Sequence, residues 1–313
     1  MNNKKKKFKV FLLLFFISLV FSKAQDVKIK IKEVLTIGND PKSIIFQWVG
    51  LTTDQENSIY ITDLKEYSVK KYDPDGKFIK RTGRKGQGPG EFLTPGPIQF
   101  YDGFLYIGQI QHPGIQVFDT ELNYIKSIPL KQPLISFQVI GNEQIAGSMF
   151  MGNKIQLYDF KGREINAIPY IQNDDFMLNA VEFRINKENL YICFQWKDII
   201  SKLSLTGKKI WERNILKVKK VKTKKIKNFT LPQDICFKTI TFDCDKNLIY
   251  VLGGHLSENA SRDIYVLTQE GKWVDTITLP EPTHTIHIDS ENFLLSRSEY
   301  GTLIKKFKLI FNE

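Results

Sequence analysis

From residue 27 onward, short stretches of alternating apolar and polar residues are separated by turn residues, a period of two that specifies strands rather than helices. The clearest unit reads IYITD (59–63), VKKYDPDG (69–76), KFIKRTG (77–83) and RKGQGPGEF (84–92): three short strands with a turn between each pair, closed by a glycine-rich crossover. The plan recurs to the end of the chain. Equivalent second strands are FLYIGQ (104–109), QIAGSMF (144–150), LYICFQ (190–195), LIYVLGG (248–254) and NFLLSR (292–297). Third strands are SVKKYD (68–73), GIQVFD (114–119), KIQLYD (154–159), IISKLS (199–204), DIYVLT (263–268) and TLIKKFKL (302–309). The turns that follow, DPDG (73–76), DTELN (119–123), DFKG (159–162), LTG (205–207) and TQEG (268–271), suit a type I turn followed by a left-handed residue. Strand-only repeats of about 40–45 residues specify a β-propeller.

Five units have a fourth strand: KFIKRT, YIKSIPL, EINAIPY, KIWERNIL and WVDTITL. The sixth, from His284 to Phe311, has none. The unassigned segment VKIKIKEVLTIG (27–38) alternates as a strand should. The expectation is an all-β, six-bladed propeller in which this N-terminal strand becomes the outer strand of the last blade and removes a free edge.

The chain has 313 residues and a formal net charge of +11. Lys4 to Lys7 and Lys9 precede an apolar run from Val10 to Phe21, and Ser22-Lys23-Ala24 supplies small residues around a cleavage point. Residues 1–24 therefore read as a secretory signal cut after Ala24, with the propeller over 25–313 and a periplasmic or extracellular destination. The apolar run is too short to span a bilayer comfortably, and no later segment is a transmembrane candidate. Six of the eleven net charges lie in the signal, leaving +5. Lys217, Lys219, Lys220, Lys222, Lys224, Lys225 and Lys227 form one lysine-rich insertion (217–229), and the surface without them carries −2. Such a distribution excludes the broad basic face of a nucleic-acid binder. The insertion reads as a solvated excursion or, less simply, as a β-ribbon touching an acidic surface such as an anionic polysaccharide. Three cysteines, Cys193, Cys236 and Cys244, do not make a stapled scaffold. Buried thiols are expected, and a Cys236–Cys244 disulfide would need the chain to turn back.

The run IYITD…VKKYDPDGKFIKRTGRKGQGPGEF, with Pro95 following, resembles the NHL-repeat propellers and secreted bacterial six-bladed propellers of unassigned role that share the Gly-x-Gly-Pro-Gly-Glu-Phe signature. The resemblance is densest over 54–100 and thinnest over 165–235, where the lysine-rich insertion departs from the pattern. It implies fold and export and carries no chemistry.

Each candidate site in the sequence also has a plain structural role. Arg84, Lys85, Gly86 and Gly88 offer a nest of backbone N–H groups for an anion. No helix follows and no nucleotide-loop spacing is met, so a blade crossover stiffened by Pro89 and anchored by Glu91 and Phe92 is the simpler expectation. His284 and His287 are three apart in a strand and point to opposite faces. His112 and His255 lie in separate connections, and no metal-ligand spacing occurs. No cofactor or metal is called for. Lactonase-like propellers hold calcium and lyase-like ones zinc, so a metal-dependent propeller enzyme is the alternative reading, with a divalent ion in the channel. The preferred ligand surface follows from topology, because second-to-third-strand and blade-to-blade connections share one face. Trp196, Tyr300, Arg297, Tyr67, His112 and His255 are its binding candidates, with Phe150 among their neighbours. Aromatic rings mixed with amides and charges suit a peptide, protein or glycan. The sequence thus reads as a non-enzymatic binding or scaffold propeller.

Overall fold

The computed structural model describes residues 27–38, 45–141, 143–150, 152–171, 178–218, 220–226, 229–243, 245–298 and 302–312. Residues 1–24, Tyr300, Cys244, Lys219 and Lys227 lie outside them. Among the described residues there is no α-helix, and six four-stranded antiparallel sheets form six blades.

Each of the first five blades is a consecutive meander from the inner to the outer strand. Blade 1 comprises Trp48–Thr53, Ile59–Asp63, Ser68–Tyr72 and Phe78–Thr82. Blade 2 comprises Pro95–Tyr101, Phe104–Gln109, Ile115–Asp119 and Tyr124–Ile128. Blade 3 comprises Ser136–Ile140, Gln144–Ser148, Lys154–Asp159 and Glu164–Pro169. Blade 4 comprises Val181–Asn186, Asn189–Phe194, Ile200–Ser204 and Lys209–Arg213. Blade 5 comprises Phe237–Phe242, Leu248–Gly253, Asp263–Thr268 and Trp273–Thr278. Blade 6 takes Thr283–Ile288, Phe293–Ser298 and Ile304–Asn312 from the end of the chain and Lys28–Ile37 from its start. The closing pair runs antiparallel from Lys28 opposite Asn312 to Ile37 opposite Ile304, with a bulge between Glu33 and Leu35.

Strand burial follows position in the blade. Ile59–Asp63, second in its sheet and covered on both faces, is buried at all five positions, whereas the outer strand Phe78–Thr82 alternates half-buried with exposed. The buried apolar residues form six clusters, one between each pair of neighbouring blades. Ile37, Ile304 and Leu295 of blade 6 meet Ile59, Ile61 and Tyr72 of blade 1, so the ring is closed by packing as well as by pairing. Cys193 and Cys236 are buried free thiols, and burial holds both above the usual thiol range.

One turn chemistry repeats between third and fourth strands. Asp73 Oδ1 accepts the backbone N–H of Asp75 and Lys77, Asp119 that of Asn123, and Asp159 those of Lys161 and Arg163. Ser204 and Thr268 do the same with hydroxyls. The left-handed position is Gly162 in blade 3, where a Cβ would lie 1.5 Å from the Pro129 carbonyl oxygen. In blade 2 it is Leu122, at φ 59°, whose side chain is buried between blades 1 and 2.

Around the axis, inner strands are tied to one another. The Phe100 N–H donates to Thr52 Oγ1, joining blades 1 and 2. Gln99 exchanges two bonds with the backbone of Val139, and Gln138 two with that of Ile185, joining blades 2 to 3 and 3 to 4. His287 Nε2 lies 2.9 Å from Thr53 Oγ1, and Ser290 donates to Asn57 Oδ1, joining blades 6 and 1.

Candidate functional site

The face carrying second-to-third-strand and blade-to-blade connections holds an aromatic pair beside a cleft. Trp196 lies in the turn after the second strand of blade 4. That turn is fixed by Asp198, whose buried carboxylate accepts the backbone N–H groups of Ile215, Leu216 and Val218. The carboxylate therefore folds the chain leaving blade 4 back against the turn. The Asn214 amide donates to the Asp198 carbonyl and tightens the same junction. The result is a cleft of about 260 Å³ walled by Leu178, Trp196, Lys197, Asn214, Val218 and Val221, with Lys220 at its edge. Lys197 Nζ reaches Asn179 Oδ1 at 2.6 Å and stands 5.4 Å from the centre of the Phe194 ring. Phe150, from the corresponding connection of blade 3, meets Trp196 edge-on with ring centroids 5.6 Å apart, and is 50% exposed. An aromatic edge is thus presented to solvent with cations on its flank.

The lysine-rich segment runs out from this cleft as a two-stranded ribbon, Thr223–Ile226 paired with Phe229–Pro232. Lys222, Lys224 and Lys225 are exposed on it. The segment returns to the fold where the Cys236 N–H donates to the Gln195 carbonyl, next to Trp196.

The other residues singled out in the sequence are dispersed. Tyr67 is half-buried at φ 53°, with Lys85 Nζ 5.5 Å from its ring centre. His112 Nδ1 lies 3.4 Å from Thr94 Oγ1, and His255 is exposed near blade 5. Arg297 is only 6% exposed, in the second strand of blade 6; burial lowers its guanidinium to about 8, and the Asp63 carboxylate opposes that shift. Tyr300 is outside the described residues. Trp196 therefore has Phe150 and lysines for neighbours rather than the rest of the candidate set.

In the glycine-rich crossover, the donors are turned inward onto the loop's own carboxylate. Glu91 Oε1 accepts from Arg84 Nε and Nη2, each at 2.7 Å, and Oε2 accepts the Gly88 N–H. These bonds hold the Glu91 carboxyl below the usual range. A Cβ on Gly86 would sit 2.0 Å from Glu91 Oε2, so only glycine admits this wrap. Phe92 is fully buried and stacks on Phe118 across the blade 1–2 interface. Glu91 and Phe92 thus anchor the crossover as the sequence suggests.

Sequence reasoning passed over a second cavity, of about 330 Å³, at the axis. Residues from all six inner strands reach it, together with Asp54, Gln55 and Ser290 from the turns after inner strands, so it lies toward the face opposite Trp196. Arg184 and His287 line it, and Glu182 precedes Arg184 by one pleat. Burial raises the Glu182 carboxyl to about 7, against the pull of Arg184 and a hydrogen bond with Ser136. Burial, and then Arg184, lower His287 to about 4, so its ring is neutral at neutral pH. The available signal was the inner strand VEFRIN, where Val181, Phe183 and Ile185 are core and the alternate positions carry opposite charges.

Comparison with known proteins gives a fold and no family. No protein-family model matches the chain, and no curated protein matches it either. Among solved structures, a virginiamycin B lyase from Staphylococcus aureus is 14% identical with a TM-score of 0.57, covering 90% of this chain and all of that one. A DUF4221-family member from Bacteroides vulgatus is 11% identical at TM-score 0.63, covering 92% and 99%. A Bacteroides thetaiotaomicron protein of unknown function is 12% identical at TM-score 0.62, covering 91% and 76%. These likenesses concern the fold alone; at such identities chemistry does not transfer.

Proposed function

We propose that this protein is an exported, non-enzymatic binding propeller that holds an acidic glycan on the face bearing Trp196. The observation that carries this reading is exposed Phe150 set edge-on to half-buried Trp196, beside a cleft flanked by Lys197 and Lys220. Aromatic rings offer flat apolar surface to the apolar side of a sugar ring. Lysines on the rim and on the adjoining ribbon attract carboxylates at long range and speed encounter. Export is supported by the basic start, the apolar run to Phe21 and the small residues at Ser22 and Ala24. Kinship with the NHL-type propellers is supported by the crossover signature, in which each unusual residue has a structural task.

The lyase neighbour acts on virginiamycin B by its name, but a likeness of 14% carries only its fold to this chain. The test is calorimetric titration with oligogalacturonate and with a neutral oligosaccharide of the same length. The acidic one is expected to bind, and Trp196→Ala and Phe150→Ala each to weaken it about tenfold, with unchanged melting temperature. Equal binding by both variants, or no preference for the acidic sugar, contradicts the reading.

A further inference from the structure

The axial cavity carries a separate site. Strand register identifies the residues at one level around the axis: Thr52, Gln99, Gln138, Arg184, Thr241 and His287, each opposite the same position of its second strand. All six line the cavity. Four use their polar atoms to tie blades: Thr52 and the two glutamines bond to the next blade's backbone, and His287 to Thr53. Arg184 differs. Among the described residues its guanidinium has one hydrogen bond, from Nη1 to the Phe183 carbonyl at 2.7 Å, and no carboxylate within ion-pair distance. A guanidinium has five N–H donors in a rigid fork, and the half-buried Arg184 turns most of its own to the cavity, where a ligand can meet them. The rest of the wall is apolar at Leu51, Ile98, Phe100, Phe137, Phe242 and Ile288 and polar at Thr53, Asp54, Gln55 and Ser290, with the Asp54 carboxylate taken up by the Glu56 and Ser58 N–H groups and the Tyr60 hydroxyl. The volume, about 330 Å³, is at the small end for ligand pockets.

From this geometry we infer that the axial cavity binds a small monocarboxylate with an apolar or aromatic body, its carboxylate on Arg184 and its body between the phenylalanines. A carboxylate matches the guanidinium fork with two parallel hydrogen bonds. Neutral His287 contributes no second cation to hold a dianion, and Glu182, one pleat away, disfavours further negative charge. Phosphate is therefore the poorer fit. The groups facing Glu182 are Arg184 on its own strand, Cys193 on the paired strand and Ser136 of blade 3, and Arg184 in turn faces His287 of blade 6. Below its titration Glu182 is neutral and leaves Arg184 to the ligand; above it the new carboxylate competes for Arg184.

The experiment is calorimetric titration of the purified chain with benzoate, hexanoate, benzamide and inorganic phosphate at pH 6 and pH 8. A carboxylate is expected to bind, with benzamide and phosphate at least about tenfold weaker. Affinity for the carboxylate is expected to fall about three- to tenfold from pH 6 to pH 8, and Glu182→Gln to remove that dependence. Arg184→Gln is expected to abolish binding. Should that variant fail to fold, Phe242→Trp, which fills the cavity and keeps every charge, is expected to block binding instead. Failure of both acids to bind, equal binding of benzamide, preference for phosphate, or indifference to Phe242→Trp would each overturn the inference. Because the cavity and Trp196 are on opposite faces, either site can fail without the other.

Discussion

Asp63 closes IYITD, and its carboxylate has more to do than end a strand. Itself buried, it accepts the N–H groups of Phe46, Gln47, Lys65 and Glu66 and the buried ammonium of Lys70 at 2.9 Å. It ties the chain entering blade 1 to the turn leaving its second strand. Replacing it with alanine leaves four backbone donors without this acceptor and takes one carboxylate from buried Lys70, Glu66 remaining at 2.6 Å. Asp63→Ala is expected to cost about 3–5 kcal/mol in urea unfolding, far beyond a surface change. A loss below about 1 kcal/mol would contradict this role. The channel residues predict a pH signature. Glu182 binds its proton more tightly folded than unfolded, so its contribution makes stability fall as pH rises from about 4.5 to about 7. His287 binds its proton less tightly folded, so its contribution makes stability rise from about 4 to about 6.5. The two slopes oppose each other across the shared range. Glu182→Gln is therefore expected to unmask a rise, and His287→Gln a fall, each of up to about 3 kcal/mol by chemical denaturation at stepped pH. Parallel profiles in both variants would show that these groups are not buried as described.

Among the elements, the strands were legible because their period and their turns agree, and a blade's inner pair cannot bury its apolar faces any other way. Leu122 shows where a turn rule bends: the left-handed position asks for glycine, yet burial between blades holds a leucine there. The closing strand was legible by subtraction, since one blade lacked an outer strand and 27–38 lacked a partner. That strand is also the element on which the ring depends. Removing residues through Ile37 exposes the Ile304–Asn312 edge and takes Ile29 and Ile37 from two core clusters. The truncated chain is expected to melt at a lower temperature and to self-associate in light scattering through the open edge. A monomer with unchanged melting would contradict closure by this strand.

For the molecule as a whole, the sequence supports an assignment of face but not of site. Trp196 could be placed on the loop face because topology alone sends it there. Its partnership with Phe150 depends on how blades 3 and 4 are angled, and Arg297 is buried because a strand end, rather than a loop, holds it; neither is written in local pattern. The axial pair Glu182 and Arg184 was hidden for a related reason, as charges alternating in a strand look like an exposed face until six inner strands close around them. The ribbon predicts a separable electrostatic effect. Changing Lys222, Lys224 and Lys225 to glutamine is expected to leave melting unchanged and to weaken acidic-glycan binding several-fold at low salt, with little difference at about 1 M, where charges are screened within about 3 Å. Equal losses at both salts would place the lysines in direct contact instead.

The most direct test of the glycan binding proposed for this face is hydrogen–deuterium exchange of the chain with and without saturating oligogalacturonate. Protection is expected in the turns around Phe150 and Trp196 and in 214–222, with the turns after the inner strands unchanged. Protection confined to that opposite face, or none anywhere under saturating binding, would contradict the account.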